Sequence, residues 1–237
     1  MLQFPLVLVP ALGCDARLWQ PVVDRVRDRV ECVVVQGSGD SIESMADDVL
    51  AQAPARFYLA GISMGGYVSL DLVLRATGRV AGLALLNTSA IAAPPDRRQN
   101  SISVIELAES GLFDEAVDRV SGAVARGRPD VTALAAEMAR DLGADVFTAQ
   151  QLAVLDRRDR TPEIAKIAVP TLIVAGDADA ITPPRLSEEM ASSIPGAELQ
   201  VLEGIGHLSP LEDPAAVAAR LGDWLVRIDG RAQRTTP

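Results

Sequence analysis

Phe57-Tyr58-Leu59-Ala60-Gly61-Ile62-Ser63-Met64-Gly65-Gly66 is the stretch on which the fold turns. It opens as an apolar, β-type run and passes through two glycines spaced about one serine. It then leads into an apolar segment of helical spacing. A serine held between a strand and a helix in this way has the form of a nucleophile elbow. Such a turn lifts the hydroxyl above the end of a sheet and strains the serine backbone. Gly61 and Gly65 remove β-carbons where strand and helix nearly touch, and Gly66 lets the helix come closer still. The N-terminus of that helix adds a positive dipole end beneath any developing oxyanion.

A serine hydroxyl is a weak nucleophile until a base takes its proton. The chain has one histidine, His207, so it is the only imidazole available. It sits in Glu203-Gly204-Ile205-Gly206-His207-Leu208, just past the last strand-like run. An imidazole acting as base is oriented by a carboxylate, and two compete in Gly176-Asp177-Ala178-Asp179-Ala180-Ile181-Thr182-Pro183. Asp179 lies further into the loop and is favoured for that role. Asp177 abuts the strand end and is kept as a turn-forming residue. The order Ser63, Asp179, His207 then places each group after the carboxyl end of a strand. An oxyanion needs two backbone N–H donors. Met64 follows the nucleophile and supplies one; Leu12, in the loop Pro10-Ala11-Leu12-Gly13-Cys14, is assigned the other. Asp15 reads as the cap of the helix that follows.

Six β-type runs recur, at 4–9, 31–35, 57–60, 82–86, 171–175 and 198–202. Several are nearly continuous Val, Leu, Ile and Ala, as strands buried on both faces require. Helical segments at 18–29, 41–52, 63–77, 184–194 and 214–228 separate them, the third with Gly78 as its expected C-terminal stop. This alternation predicts parallel strands with right-handed crossovers. The span 88–160 breaks the rhythm: it has helical periodicity at 102–110, 112–125, 131–142 and 146–156, punctuated by glycines, and no strand. The expected organisation is a single α/β core from 1–87 and 161–228, a helical lid over the sheet's carboxyl edge from 88–160, and a frayed polar tail at 229–237.

The 237 residues suffice for one domain with a full core. A hydrophobic content of 49% and a mean hydropathy of +0.20 exclude a disordered chain. The formal charge of −10 disfavours nucleic acid and anionic membrane surfaces as partners. Cys14 and Cys32 lack metal-ligand spacing and form no disulfide framework, which points to a reducing, cytoplasmic setting. The apolar N-terminus lacks a basic flank and reads as a buried strand rather than a signal peptide. Lid arginines at 97, 98, 119, 126, 128, 140, 157, 158 and 160 could meet an anionic substrate. The lid holds at least as many acids, so most of these are expected to be solvated salt-bridge partners. The expected pocket is mainly apolar, lined by Leu12, Met64 and aliphatic lid residues. Trp19 is expected in the core.

Taken together, Gly-Ile-Ser-Met-Gly-Gly-Tyr, Gly-Asp-Ala-Asp-Ala-Ile-Thr-Pro and Gly-Ile-Gly-His-Leu resemble the α/β-hydrolase superfamily in its small, capped, esterase-like branch, close to carboxylesterases and menaquinone-pathway synthases. The resemblance runs from Phe4 to Arg227. It implies a triad of Ser63, Asp179 and His207, and its Gly-x-x-Asp spacing supports Asp179 over Asp177. It implies no metal and no organic cofactor, and a small ester-like molecule as the partner. Where this family often has His-Gly at the start of the oxyanion loop, the chain has Pro10-Ala11. It also lacks the antiparallel hairpin many members begin with, so a parallel sheet of about six strands is expected. The implied reaction is hydrolysis of a carboxylic ester or thioester through an acyl-enzyme on Ser63. The same triad also serves lyase, synthase, carbon–carbon hydrolase and perhydrolase chemistry, and a non-catalytic receptor is the third reading.

Overall fold

The computed structural model describes the backbone of residues 1–76 and 78–235, and the side chains of residues 1–76 and 78–230. Six strands form one parallel sheet: β1 (Leu6–Val9), β2 (Cys32–Val34), β3 (Phe57–Ile62), β4 (Val80–Leu86), β5 (Thr171–Gly176) and β6 (Glu198–Leu202). Their order across the sheet is β2-β1-β3-β4-β5-β6. The chain moves outward from β1 in one direction to β2 and in the other to β3. This reversal opens a crevice beyond the carboxyl ends of β1 and β3, where ligands bind in open α/β sheets.

The helices are α1 (Gln20–Val26), α2 (Ile42–Gln52), α3 (Met64–Arg75), α4 (Pro95–Glu109), α5 (Phe113–Val124), α6 (Pro129–Leu142), α7 (Ala144–Leu155), α8 (Pro184–Ser193), α9 (Ser209–Glu212) and α10 (Pro214–Thr235). Ser41 caps α2 through a reciprocal capping box with Ser44. Asp15 caps a single 3₁₀ turn, Ala16–Leu18, rather than the α-helix itself, which begins two residues later.

Alternation along the strands divides the core in two. Leu6, Leu8, Tyr58, Ala60, Ala84, Leu86, Leu172 and Val174 face α1 and α10, where Trp19, Val22, Trp224 and Ile228 meet them. Val7, Val9, Phe57, Leu59, Leu83, Leu85 and Ile173 face α2, α3 and α8, with Met45, Val49, Val68 and Met190. Each fully buried aliphatic side chain is worth about 1.5–3 kcal/mol, so the strands are held from both sides. Trp19 is fully buried in the first of these clusters, as expected.

Between β4 and β5 come α4–α7, four helices with no strand among them. They have a small core of their own in Val104, Ala116, Val117, Ala136, Ala139 and Phe147. They meet the rest of the molecule through apolar side chains, Ala125, Val131, Ala135 and Met138 joining the larger core, and through polar contacts beyond the strands' carboxyl ends. Gly13 N–H donates to Gln150 Oε1 at 2.7 Å, and Arg17 reaches Glu137 and Asp141 at 2.9 and 2.7 Å. Arg97 Nη2 donates to the Ala180 carbonyl at 3.0 Å, and Arg128 Nη2 to that of Glu212 at 3.2 Å.

Several boundaries differ from the sequence reading; α1, for one, spans Gln20–Val26 where 18–29 was expected. Helix α4 starts at Pro95, two turns before the apolar periodicity begins, because proline at the first helical position pre-sets the backbone over a polar stretch. The third helix ends at Arg75 with Ala76 as its C-cap; the expected end, Thr77, lies outside the described residues. The expected polar tail is mostly helix, since α10 continues to Thr235. Asp229, just past the expected stop at Ile228, is 5% exposed, and its carboxylate accepts from Tyr58 Oη at 2.6 Å and Gln3 N–H at 3.0 Å. Among the described residues, no helix is long and apolar enough to cross a membrane.

Candidate active site

Ser63 stands at the junction of β3 and α3 with φ 53° and ψ −115°, a left-handed conformation that costs a non-glycine residue of order 1–3 kcal/mol. The surroundings enforce it. A β-carbon at Gly61 would strike the Gly65 carbonyl, and one at Gly65 would strike the Val9 carbonyl at the end of β1. One at Gly66 would strike the Thr88 side chain. The elbow is thus wedged between two strand ends. Ser63 N–H donates to the Leu86 carbonyl at 3.1 Å, and Thr88 Oγ1 donates to the Ser63 carbonyl at 2.8 Å.

The structure brings Ser63, His207 and Asp179 together. His207 Nε2 lies 2.9 Å from Ser63 Oγ, and His207 Nδ1 lies 2.8 Å from Asp179 Oδ2. His207 and Asp179 are each 3% exposed. Burial alone would raise the Asp179 carboxyl, but the His207 ring, Asn87 and Thr182 lower it to about 2. Asp179 is therefore ionised at neutral pH and can only accept, so the ring proton belongs on Nδ1 and the Nε2 lone pair faces the serine.

Four residues that the sequence reading missed complete the arrangement. Asn87, fully buried at the end of β4, donates through Nδ2 to Asp179 Oδ2 and to the Gly206 carbonyl, both at 3.0 Å. Ser209 Oγ in turn donates to Asn87 Oδ1 at 2.6 Å. Thr182 donates its Oγ1–H to Asp179 Oδ2 at 2.7 Å and its N–H to Oδ1 at 2.9 Å. Glu212 accepts Gly206 N–H at 2.7 Å and Leu208 N–H at 3.0 Å, so one carboxylate grips the backbone on both sides of His207. A glutamate reaching back to the start of its own short helix is a capping signal, and the segment Leu208-Ser209-Pro210-Leu211-Glu212 displays it.

Asp177 has a different place from the one expected. Its exposed carboxylate crosses to the next loop and accepts Gly204 N–H at 2.7 Å. The bonding within the acid loop is made by Asp179, whose Oδ1 takes the N–H groups of Ile181 and Thr182.

Leu12 and Met64 flank the serine from the loop after β1 and from the first position of α3. Among the described residues neither backbone N–H has an acceptor. Leu12 lines the cavity next to Ser63, whereas the Met64 side chain is buried in the core beside Val68. Cys14, in the same loop, is no rival nucleophile: burial, then the charge of Asp15, push its thiol up to about 12. Among the described residues, no cluster of three or more His, Cys, Asp or Glu could hold a metal ion.

The cavity above Ser63 and His207 has a volume of about 490 Å³. Its apolar wall comes from Leu12, Ile91, Val120, Val124, Val154 and Leu186. The lining is less apolar than expected, because Arg97, Arg119, Arg157 and Arg185 also contribute to it.

A buried imidazole between a carboxylate and a strained serine is an arrangement for proton transfer to and from that serine's oxygen. The model of the alpha/beta hydrolase family matches residues 6–220. The chain is 29% identical over 245 residues to the pimeloyl-[acyl-carrier protein] methyl ester esterase of Neisseria meningitidis serogroup C, covering 92% of each chain. A thermophilic esterase from Thermogutta terrifontis superposes with a TM-score of 0.86 at 26% identity, over 96% of this chain and 91% of that one. The enol-lactonase of Burkholderia xenovorans LB400 shares the fold, with a TM-score of 0.84 at 24% identity over 94% and 92%. With nearly its whole length matched, the chain belongs to the alpha/beta hydrolase family and is an enzyme of the hydrolase class.

Proposed function

We propose that the protein hydrolyses a carboxylic ester of a small substrate through an acyl-enzyme on Ser63. The observation that carries this reading is the continuous contact Ser63 Oγ–His207 Nε2–Asp179, 2.9 and 2.8 Å long, opening onto a 490 Å³ cavity. His207 Nε2 takes the serine proton as Oγ attacks the ester carbonyl. Asp179 stabilises the imidazolium through Nδ1–H without taking its proton. The free N–H groups of Met64 and Leu12 receive the oxyanion, and the N-terminus of α3 adds its dipole. Losing one such donor costs about 10²–10³ in rate. The tetrahedral intermediate collapses as His207 returns the proton to the leaving alcohol. A water activated by the same imidazole then attacks the acyl-enzyme and frees the acid. On this reading α4–α7, which fall within the span 88–160, act as a lid over the site.

The relatives give the substrate class its support, since the Neisseria relative is named for cleaving a methyl ester. A fluorophosphonate probe tests the reading. It should add one covalent group per chain, mapped to Ser63, and should abolish turnover of a short p-nitrophenyl ester. Labelling elsewhere, or turnover surviving full labelling of Ser63, would refute it.

A further inference from the structure

The whole chain carries a formal charge of −10, yet the cavity above Ser63 is lined by four arginines and one carboxylate, Asp96. Of the nine arginines in 88–160, four have carboxylate partners: Arg98 with Asp156, Arg128 with Glu212, Arg140 with Asp114 and Asp118, and Arg160 with Asp71. The arginines of that segment that line the cavity are not among them. Arg185 reaches Glu189 at 3.4 Å, but Arg97, Arg119 and Arg157 have no carboxylate partner among the described residues. Arg97 donates to carbonyl groups of the acid loop, and Arg119 to Asn100 Oδ1 at 2.8 Å.

Arg157 is the most telling of these. It is only 9% exposed. A charge so far out of water is costly unless it is paired. Its Nε donates to the Ile91 carbonyl at 3.1 Å and its Nη1 to that of Val154 at 2.8 Å, while Nη2 has no protein acceptor and is not sealed inside the protein. Its guanidinium lies 4.4 Å from the centroid of the Tyr67 ring, and Tyr67 is one helical turn beyond Ser63 on α3. The guanidinium of this cavity-lining residue is thus oriented by a ring and two carbonyls, with one edge left over. Burial, together with the like charges of Arg97 and Arg98, pulls it below its ordinary value. An anion would relieve that cost, and a planar guanidinium edge suits a carboxylate.

We infer that the cavity is built for an anionic ester, a half-ester of a dicarboxylic acid whose free carboxylate pairs with Arg157, with Arg97 and Arg119 adding positive potential at the mouth. The inference deepens the esterase reading by naming the substrate class, and it rests on Ser63 being the nucleophile of the same cavity. The apolar wall of Val120, Val124, Val154 and Leu186 leaves room for methylenes between the two ends.

Two measurements on the intact protein test it. In calorimetric titration, adipate should bind and 1,6-hexanediol, its neutral counterpart of equal length, should bind at least tenfold more weakly. Arg157→Met should weaken adipate binding by about 10–100-fold, and Arg157→Lys, which keeps the charge but not the planar edge, by less. Arg119→Gln, at an exposed position, should weaken it by a few-fold through lost potential. In turnover, the ratio of kcat/KM for the mono-p-nitrophenyl ester of adipic acid to that for p-nitrophenyl hexanoate should exceed one and fall in all three variants. Equal binding of adipate and the diol, or a ratio that the arginine variants leave unchanged, overturns the inference. Arginine-dependent binding of adipate without turnover of either ester would uphold the anion site and overturn the esterase reading instead.

Discussion

Asn87 holds Asp179 in place: its Nδ2 donates to the carboxylate at 3.0 Å and, with the same nitrogen, to the Gly206 carbonyl beside His207 at 3.0 Å. One amide therefore ties the acid loop to the histidine loop from the end of a central strand. Asn87 has φ 43°, a conformation asparagine tolerates better than most residues. Replacing it leaves Asp179 with fewer donors and a half-buried carbonyl without its partner. Asn87→Ala should lower stability by about 1–3 kcal/mol and kcat by about tenfold, with little change in KM. Chemical denaturation and steady-state kinetics on a p-nitrophenyl ester check both; an unaltered kcat would mean that Asn87 only supports the fold.

Glu212 acts on His207 through the backbone. Its carboxylate accepts Gly206 N–H and Leu208 N–H, and Arg128 from the turn before α6 lies 3.8 Å from it. Glu212→Ala leaves two donors unsatisfied in the histidine loop and should cost about 1–3 kcal/mol of stability. The kinetic loss should fall on kcat, because the imidazole is misplaced while the cavity is not. Glu212→Gln keeps an acceptor and should recover part of it. Equal effects of the two variants on kcat would argue against positioning.

Stability at acid pH should report on Asp179. Its folded value of about 2 is below the ordinary 3.8, so the folded chain binds this proton more weakly than the unfolded chain. The contribution to stability is complete above about pH 4 and disappears as the pH falls toward 2, with a size on the order of 2 kcal/mol. Urea midpoints of the wild type and Asp179→Asn should therefore differ at pH 6 and converge below pH 4. A difference independent of pH would contradict an ionised, paired Asp179.

Gly65 tests the elbow's construction. A β-carbon there meets the Val9 carbonyl, which is backbone at the end of a buried strand and cannot swing aside. Gly65→Ala should destabilise the protein by about 1–3 kcal/mol or more, although alanine is the better helix former. A more stable Gly65→Ala protein would show that the strand and helix are not in close contact there.

Local signals carried most of the fold. Buried parallel strands are continuous apolar runs, so 57–60, 82–86 and 171–175 were legible without their neighbours. Ser63 was legible because its flanking glycines state a steric requirement, and His207 because no other imidazole competes. Asp179 was distinguishable from Asp177 by its depth in the loop. What the sequence did not display were contacts between loops far apart in the chain. Asn87 is a common polar residue at a strand end, and its role appears only once β4, β5 and β6 lie side by side. Thr182 and Glu212 bond to near neighbours in the chain, and what marks them is only that those neighbours hold Asp179 and His207. The unpaired state of Arg157 was hidden for the same reason. Counting acids and bases in 88–160 predicted neutralisation, but which arginines find carboxylates depends on how α4–α7 pack. Nor did the sequence display that Asp229, just past the expected helix end, bonds to Tyr58, a residue 171 positions away.

The most direct measurement is kcat/KM for p-nitrophenyl butyrate with the wild type and Ser63→Ala, alongside their thermal unfolding midpoints. The relay of Ser63, His207 and Asp179 predicts a loss of about 10³-fold or more with an unfolding midpoint close to wild type. A folded Ser63→Ala protein that retains most of the wild-type rate would contradict it.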